Sequence, residues 1–424
     1  MLKAQYTPSS ELLEVIFDEP VPASCTSHSE FVDFMAILDG VRGYKILRHD
    51  DQISGFTVPY IAMIEAFAGQ LPRGQRLLHE KLRQSFMEMP PAQSEGLQVN
   101  FHQKPFDTPE RSWNFVLNQG FFCQHIFNRI AWYMAPRHAV VTDYPLHVDV
   151  ETANTCNMNC PMCYRDQMLD TGQMDYSLFT SIVDQCAAAD LYSMRLSWRG
   201  EPLSHPRIKE MITYATERIP NVSFLTNAFC LDNDLNRLLI QSKTAYVAVS
   251  FDGIGDVYNA IRRPAKFDNS IARLSTLRTD REAAGARRPQ IRLSTIWPAV
   301  SMDPDAYRVT MTPVSDYMAY NPYINFKGEL RIKENFICQF PWERIVVSFA
   351  GKAQCCTGWN AGEIILGDVA QTSIRDMWHS PQMEKIRKAH QDGQRMSLVS
   401  CADCRHGSEG DRKADIWSII KRNY

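Results

Sequence analysis

Three cysteines within eight residues constrain this chain more than any other feature. Cys156, Cys160 and Cys163 fall at C-x3-C-x2-C in Thr155-Cys156-Asn157-Met158-Asn159-Cys160-Pro161-Met162-Cys163-Tyr164-Arg165. An apolar run from Leu146 to Val150 ends shortly before them, so the pattern predicts a strand feeding a loop that wraps one metal centre. Thiolates are soft ligands of the kind iron–sulfur clusters select. Three of them on a cubane leave one iron open to a substrate or cofactor. The alternatives are a zinc site or three unconnected core thiols. A structural zinc wants a fourth Cys or His close by, and the next histidine downstream is the distant His205.

Composition narrows the setting. With 424 residues the chain is long enough for about two to three domains. Hydrophobic content of 45% and charged content of 22% are those of a globular protein. A formal net charge of −3 gives no global basic field for nucleic acid. The start, Met1-Leu2-Lys3-Ala4-Gln5-Tyr6, lacks the apolar core of a signal peptide, and no run approaches membrane-spanning length. Twelve cysteines in that setting point to a reducing compartment and metal binding, so the expected location is the cytoplasm.

The first 140 or so residues carry no motif with recognisable chemistry but have the pattern of a folded unit. Phe31, Phe34, Met35, Leu38 and Val41 recur at helical spacing after Ser29 as a cap. Tyr44 to Leu47 and Gly55 to Val58, separated by Asp50-Asp51, predict a hairpin. Gln75 to Met87 predicts a helix whose Arg76, Lys81 and Arg83 suit a solvated face. Thr108-Pro109 opens, and Pro136 closes, one long helix bearing Trp113, Phe115, Phe122, Phe127 and Trp132.

From Leu146 the pattern changes to short apolar runs alternating with helical periodicity. Strands are expected at Leu146–Val150, Met194–Trp198, Val222–Thr226, Tyr246–Phe251, Ile291–Ile296 and Asp316–Tyr320. Helices are expected at Ser177–Ala189, Pro206–Glu217, Asp232–Ser242 and Asn269–Arg281. Repeated strand–helix units force a parallel sheet with right-handed crossovers, and six of them suit an open barrel. The cysteine loop then lies at the C-terminal mouth, where such architectures place their chemistry.

The loop, with aromatic Tyr164 after its third cysteine, resembles the signature of the radical S-adenosylmethionine (SAM) enzymes. The resemblance implies that Cys156, Cys160 and Cys163 hold a 4Fe–4S cluster whose open iron binds SAM, and that reductive cleavage yields a 5'-deoxyadenosyl radical. It implies an external one-electron donor of the flavodoxin or ferredoxin type. Later strand ends resemble further family motifs. Arg199-Gly200-Glu201-Pro202 is similar to Gly-Gly-Glu-Pro, with Glu201 toward the SAM amino group and Arg199 in place of the first glycine. Thr226-Asn227 resembles a Thr-Asn-Gly turn, and Ser250-Phe251-Asp252-Gly253 a ribose-facing segment. Arg262 and Arg263 are candidates for anionic groups.

Beyond the barrel, Cys338 precedes an expected hairpin, Arg344 to Phe349 and back from Lys352, that returns into Cys355-Cys356. A helix around Ile374–Gln391 leads to the C-x2-C pair Cys401 and Cys404. Four thiolates from a hairpin and a distal loop make a closed site, for zinc or a second cubane. The arrangement resembles the SPASM/twitch extensions of radical SAM enzymes in a one-cluster form. That implies Cys338, Cys356, Cys401 and Cys404 as ligands of an auxiliary 4Fe–4S cluster, with Cys355 able to replace Cys356.

The expected architecture is α/β: a partial (β/α)6 radical SAM barrel over 141–335, an α+β N-terminal domain over 1–140 and a small hairpin–helix auxiliary-cluster domain over 336–424. Of the remaining cysteines, Cys123 and Cys186 suit apolar cores, Cys25 has no assignment, and Cys230 and Cys355 are candidates for a thiol near the substrate. Asp252, Arg199 and Arg292 are candidates for a base. The expected reaction is hydrogen abstraction from a small polar metabolite, carbohydrate or aminocyclitol, followed by oxidation with the auxiliary cluster as electron acceptor, or by epimerisation or dehydration. A peptide substrate recognised by the N-terminal region is the alternative. A non-catalytic electron carrier or zinc-stabilised scaffold is the third reading.

Overall fold

The computed structural model describes every residue except Met1, 89–103, 166, 167, 169, 326–331, 334, 335, 359–363, 405, 406, 409–413, 423 and 424. The chain opens with strands β1 (Leu2–Thr7) and β2 (Leu12–Val21), helix α1 (Ser29–Asp39), strands β3 (Lys45–His49) and β4 (Gln52–Pro59), and helices α2 (Tyr60–Ala66) and α3 (Arg73–Glu88). The four strands form one antiparallel sheet in the order β1-β2-β4-β3. Strict alternation makes it: Leu2, Ala4 and Tyr6 are buried while Lys3, Gln5 and Thr7 face out. The expected hairpin forms as β3–β4. Asp50 and Asp51 turn it with φ of 47° and 63°, the left-handed pair that a tight hairpin needs. The α1 cap is His28, not Ser29; its Nδ1 accepts the Glu30 N–H at 3.3 Å.

Strand β5 (Lys104–Pro105) leads to α4 (Pro109–Leu117) and α5 (Phe122–Arg137). The single long helix expected here is therefore two. Gly120 and Phe121 between them have φ of 75° and 57°, and left-handed backbone cannot continue a right-handed helix.

The six expected parallel strands follow as β6 (His147–Val150), β7 (Ser193–Arg195), β8 (Asn221–Thr226), β9 (Tyr246–Ser250), β10 (Gln290–Ile296) and β11 (Tyr317–Asn321). Between them run α6 (Tyr176–Ala188), α7 (Ile208–Thr216), α8 (Asn233–Gln241), α9 (Gly255–Ile261), α10 (Phe267–Ala283) and α11 (Pro304–Met311). Val148, Met194, Val222, Phe224, Val247, Ile291 and Leu293 join one core with Phe179, Met211, Leu235 and Leu274 of those helices. The alternate residues His147, Asp149, Arg195, Ser223, Arg292 and Ser294 therefore line the concave side, which is polar.

Helices α4 and α5 floor this barrel at the N-terminal ends of its strands. Phe115 packs on Tyr246 and Tyr317 at 5.5 and 5.0 Å between ring centroids. The Asn221 amide donates to Gln119 Oε1 at 3.1 Å, and Asn128 donates to the Leu146 carbonyl at 3.3 Å.

The chain ends with β12 (Arg344–Val347), β13 (Lys352–Gln354), β14 (Ile365–Asp368), α12 (Ile374–Trp378), α13 (Pro381–Gln391), α14 (Val399–Ala402) and α15 (Ile416–Arg422). The hairpin does not stand apart from the barrel. Strand β12 pairs in parallel with β6, Arg344 opposite His147 through Val347 opposite Val150, so the large sheet runs β14-β13-β12-β6-β7-β8-β9-β10-β11-β5. The helix expected around Ile374–Gln391 divides where Ser380 caps a new helix by accepting the Met383 N–H, with Pro381 at its first position. Among the described residues no helix is long and apolar enough to cross a membrane.

Candidate active site

The cysteine loop leaves β6 at the C-terminal mouth and is held by its own residues and by three other strand ends. Arg165 reaches back to donate to the carbonyls of Cys156 and Met158 at 3.2 and 3.1 Å, tying the loop into a ring. The Asn159 N–H donates to the Arg263 carbonyl at 2.8 Å, and Cys163 N–H to the Cys160 carbonyl at 3.0 Å. Burial raises the thiol of Cys156 and pushes that of Cys160 up to about 11, against the pull of the Arg262 guanidinium. That guanidinium lies 3.7 Å from Cys160 Sγ.

Glu201, 2% exposed, is the node between three strands. Its Oε1 accepts from Thr226 Oγ1 at 2.6 Å and Leu203 N–H at 3.1 Å, and its Oε2 from Asn227 N–H at 2.7 Å. Burial nevertheless pushes its carboxyl up to about 7. Asn227 then donates to Asn157 Oδ1 at 2.7 Å and faces Cys156 Sγ at 3.8 Å, and Asn157 donates to Cys230 Sγ at 3.3 Å. Glu201, Thr226, Asn227, Asn157, Cys156 and Cys230 thus form one connected network. Gly200 explains how Glu201 comes so close: a Cβ there would meet the Asn154 and Ala153 backbone at 2.4 to 2.5 Å. Pro202 is buried in the short turn that follows Glu201.

Arg199 is committed elsewhere. Its guanidinium holds both oxygens of Glu151 at 2.7 and 2.6 Å and stacks on Trp198 at 3.9 Å, so the charge expected to reach SAM or substrate is paired within the barrel. Asp252 is likewise engaged: Arg262 holds one oxygen and the Ile296 N–H donates to the other at 2.9 Å. A carboxylate tied on both sides positions Arg262 and is poorly placed as a base. Tyr164 lies among Cys163, Arg199 and Glu151, and burial raises its phenol. Ser250 ends β9 opposite Ser294 of β10, half-buried at the mouth.

The C-terminal thiols share a second place. Cys338, Cys355, Cys356, Cys401 and Cys404 line one cavity whose other walls are Phe336, Phe340, Ile364 and Ile386, with His390 and Arg395 at its edge. Cys355 and Cys356 differ in character. A hydrogen bond from Cys355, and the Gly358 N–H at 3.3 Å, hold the Cys356 thiol below the ordinary range, whereas that same bond and burial hold Cys355 well above it. Among the described residues no three Cys, His, Asp or Glu side chains converge on a point where one metal ion would sit. Five thiols around one cavity supply the four thiolates that a closed cluster or a tetrahedral zinc would take. All twelve cysteines are free of disulfides, so both donor sets are available. Asn157, Arg165 and His390 carry no family motif; Asn157 and Arg165 lie inside the cysteine loop, whereas His390 has no sequence signal of its own.

The two thiol sets belong to two recognised domains. A model of the Radical SAM superfamily matches residues 150–279, and the SPASM iron–sulfur cluster-binding domain matches 338–405. The chain carries a radical SAM domain and a C-terminal SPASM domain, the domain pair of a radical SAM enzyme whose cofactors are SAM, the SAM-binding 4Fe–4S cluster and auxiliary iron–sulfur. Among named relatives, it is 21% identical over 274 residues to the S-adenosyl-L-methionine-dependent 2-deoxy-scyllo-inosamine dehydrogenase of Niallia circulans, covering 62% of this chain and 93% of that one. It is 27% identical over 145 residues to the tungsten-containing aldehyde ferredoxin oxidoreductase cofactor-modifying protein of Pyrococcus furiosus, 34% of this chain and 41% of that protein. It is 22% identical over 296 residues to the antilisterial bacteriocin subtilosin biosynthesis protein AlbA of Bacillus subtilis, 60% of this chain and 65% of that one.

Proposed function

We propose that this enzyme oxidises a small polar metabolite of the carbohydrate or aminocyclitol class. When bound, SAM and its cluster supply a 5'-deoxyadenosyl radical, and the auxiliary cluster supplies an electron acceptor. The substrate then loses one hydrogen atom, one electron and one proton, the sum of an alcohol-to-carbonyl oxidation. The observation that carries this reading is the thiol-lined cavity: ligation by Cys338, Cys356, Cys401 and Cys404 leaves no iron open to substrate, which favours electron transfer. Cys356 fits a ligand better than Cys355 because two hydrogen bonds favour its thiolate.

Cys156, Cys160 and Cys163 would hold the SAM-binding cluster, with Arg262 beside Cys160 and Asn227 beside Cys156. Glu201, Thr226 and Asn227 would fix the SAM amino group, Ser250 and the Asp252–Arg262 pair would face the ribose, and Gly200, Pro202 and Tyr164 would shape the walls. Polar groups on the concave side suit a hydroxyl-bearing substrate: Asp149 is held by Arg195 at 2.7 Å and Arg344 at 3.0 Å, and Glu151 by Arg199, so guanidinium N–H groups line the interior. The dehydrogenase relative, matched along 93% of its length, supports the same class. The division into an N-terminal α+β unit over 1–140, a barrel over 141–335 and an auxiliary-cluster unit over 336–424 belongs to this reading, as does a flavodoxin- or ferredoxin-type donor.

Peptide modification is the second reading, favoured by the bacteriocin-biosynthesis relative. Anaerobic reconstitution with SAM, reductant and deuterated sugars or aminocyclitols separates the two. Deuterium appearing in 5'-deoxyadenosine supports the small-molecule reading. Transfer only from a precursor peptide that binds the N-terminal region would overturn it.

A further inference from the structure

His390 lies on α13, 2% exposed, against the thiol-lined cavity, and both of its ring nitrogens face that cavity's cysteines. Nδ1 accepts the backbone N–H of Cys338 at 3.3 Å. Nε2 faces Cys401 Sγ at 3.7 Å, within range for a hydrogen bond to sulfur. The tautomer follows from the first contact. A backbone N–H has no lone pair, so Nδ1 must present one, and the ring's single proton is on Nε2, directed at the sulfur. Arg395, 1% exposed, fixes the other side of the same residue by donating to the Cys401 carbonyl and, at 2.6 Å, to the Lys333 carbonyl. One imidazole therefore joins the N-terminal and C-terminal members of a donor set separated by more than sixty residues.

We propose that His390 is a positioning residue of the auxiliary cluster, its Nε2–H donating to the Cys401 thiolate while its Nδ1 holds the Cys338 loop, so that the cluster accepts an electron more readily. The inference rests on the ligand assignment proposed above. A hydrogen bond to a thiolate withdraws charge from the sulfur and stabilises the more negative, reduced cluster, which raises its reduction potential. The surrounding Phe336, Phe340, Ile364 and Ile386 act in the opposite direction, because an apolar shell disfavours added negative charge. His390 is the one side chain of this wall with a ring N–H aimed at a ligand sulfur among the described residues. A phenylalanine or leucine would pack there as well but would supply no proton.

The test is an EPR-monitored redox titration of the reconstituted full chain, with a Cys156→Ala, Cys160→Ala, Cys163→Ala chain to assign the auxiliary signal. His390→Leu is expected to keep the auxiliary iron and to shift that signal's midpoint to more negative potential, with His390→Gln, which retains an N–H donor, recovering part of the shift. An unchanged midpoint in His390→Leu with full iron would overturn the proposal. If the leucine variant loses the cluster, the unmutated chain decides alone. Pulsed EPR of the reduced cluster in H2O and D2O, with and without ¹⁵N-histidine, is expected to show one exchangeable proton and one histidine nitrogen coupled to it. No such coupling would overturn the proposal equally. Absence of any auxiliary iron in the unmutated chain would instead defeat the ligand assignment on which the proposal stands.

Discussion

Single residues set the tolerances of this molecule, and two of them make the point from opposite directions. Gly200 is required because no side chain fits between the β7 loop and the Ala153-Asn154 backbone. Gly200→Ala must push Glu201 away from Thr226 and Asn227, a strain of about 1–3 kcal/mol. SAM affinity, measured by equilibrium dialysis, is expected to fall by about tenfold or more, since 1.4 kcal/mol is a factor of ten. Iron bound at the C-terminal thiols is expected to be unchanged, and an unaltered SAM affinity would contradict the role given to Gly200. Glu343 shows the other kind of constraint. It is fully buried, neither carboxylate oxygen has a hydrogen-bond partner among the described residues, and burial pushes its carboxyl up to about 8 despite Arg344, Arg129 and Arg137 nearby. The sign follows directly. Between the ordinary carboxylate range and about 8 the folded chain keeps a proton that the unfolded chain releases, so stability falls as pH rises through that window. Glu343→Gln removes the titration, and its melting temperature is expected to decline less than that of the unmutated chain from about pH 6 to pH 8.5. Parallel declines in the two proteins would show that Glu343 is not the group responsible.

Elements were legible in proportion to how local their cause was. The six barrel strands came through because each is a short apolar run whose outward residues meet a crossover helix, and β3–β4 because Asp50-Asp51 sits between two alternating runs. The breaks inside the two aromatic and C-terminal helical stretches were missed. Gly120-Phe121 and Ser380-Pro381 are ordinary dipeptides until left-handed backbone or a cap is seen. Pairing of β12 with β6 was missed for a different reason: register between strands nearly two hundred residues apart leaves no local trace. The role of α4 and α5 as a floor was equally hidden, since Phe115, Gln119 and Asn128 look like any amphipathic helix until Tyr246, Tyr317, Asn221 and Leu146 are placed against them. At the candidate site the cysteines, Glu201, Asn227 and Asp252 were visible in motifs, whereas Asn157 and His390 act through side-chain contacts with no fixed spacing. The floor makes its own prediction. Phe115→Ala opens a cavity beneath β9 and β11 and is expected to cost about 3–5 kcal/mol in chemical denaturation. Iron content of the folded protein should stay the same, and a cost near zero would mean that the floor does not support the barrel.

The two thiol sets are parts of one body because the strands that lead to them are neighbours. β6 delivers the chain toward Cys156, β12 opens the hairpin that returns to Cys356, and the two are hydrogen-bonded along their length. Beyond the paired segment the Glu151 N–H still donates to the Val347 carbonyl at 2.9 Å, and the Glu151 carboxylate accepts the Phe349 N–H at 3.2 Å. One further bond crosses from site to site. The Trp198 indole N–H, adjacent to the Arg199-Gly200-Glu201 turn, donates to the carbonyl of Thr357, the residue after Cys356, at 3.0 Å. If the C-terminal cluster accepts an electron from a substrate radical formed at the barrel mouth, this bond helps to set the path between them. Trp198→Phe keeps an aromatic ring for Arg199 to stack on and removes only the N–H. Losing one hydrogen bond of about 1 kcal/mol is expected to raise the ratio of 5'-deoxyadenosine to oxidised product roughly two- to fivefold. Both clusters should still assemble, at about eight irons per chain. A chain with Cys338, Cys356, Cys401 and Cys404 all changed to Ser sets the limit, with about four irons, continued SAM cleavage and no oxidised product. A Trp198→Phe ratio equal to that of the unmutated chain would show that the indole bond serves the fold alone, and oxidised product from the four-serine chain would remove the C-terminal thiols from the reaction altogether.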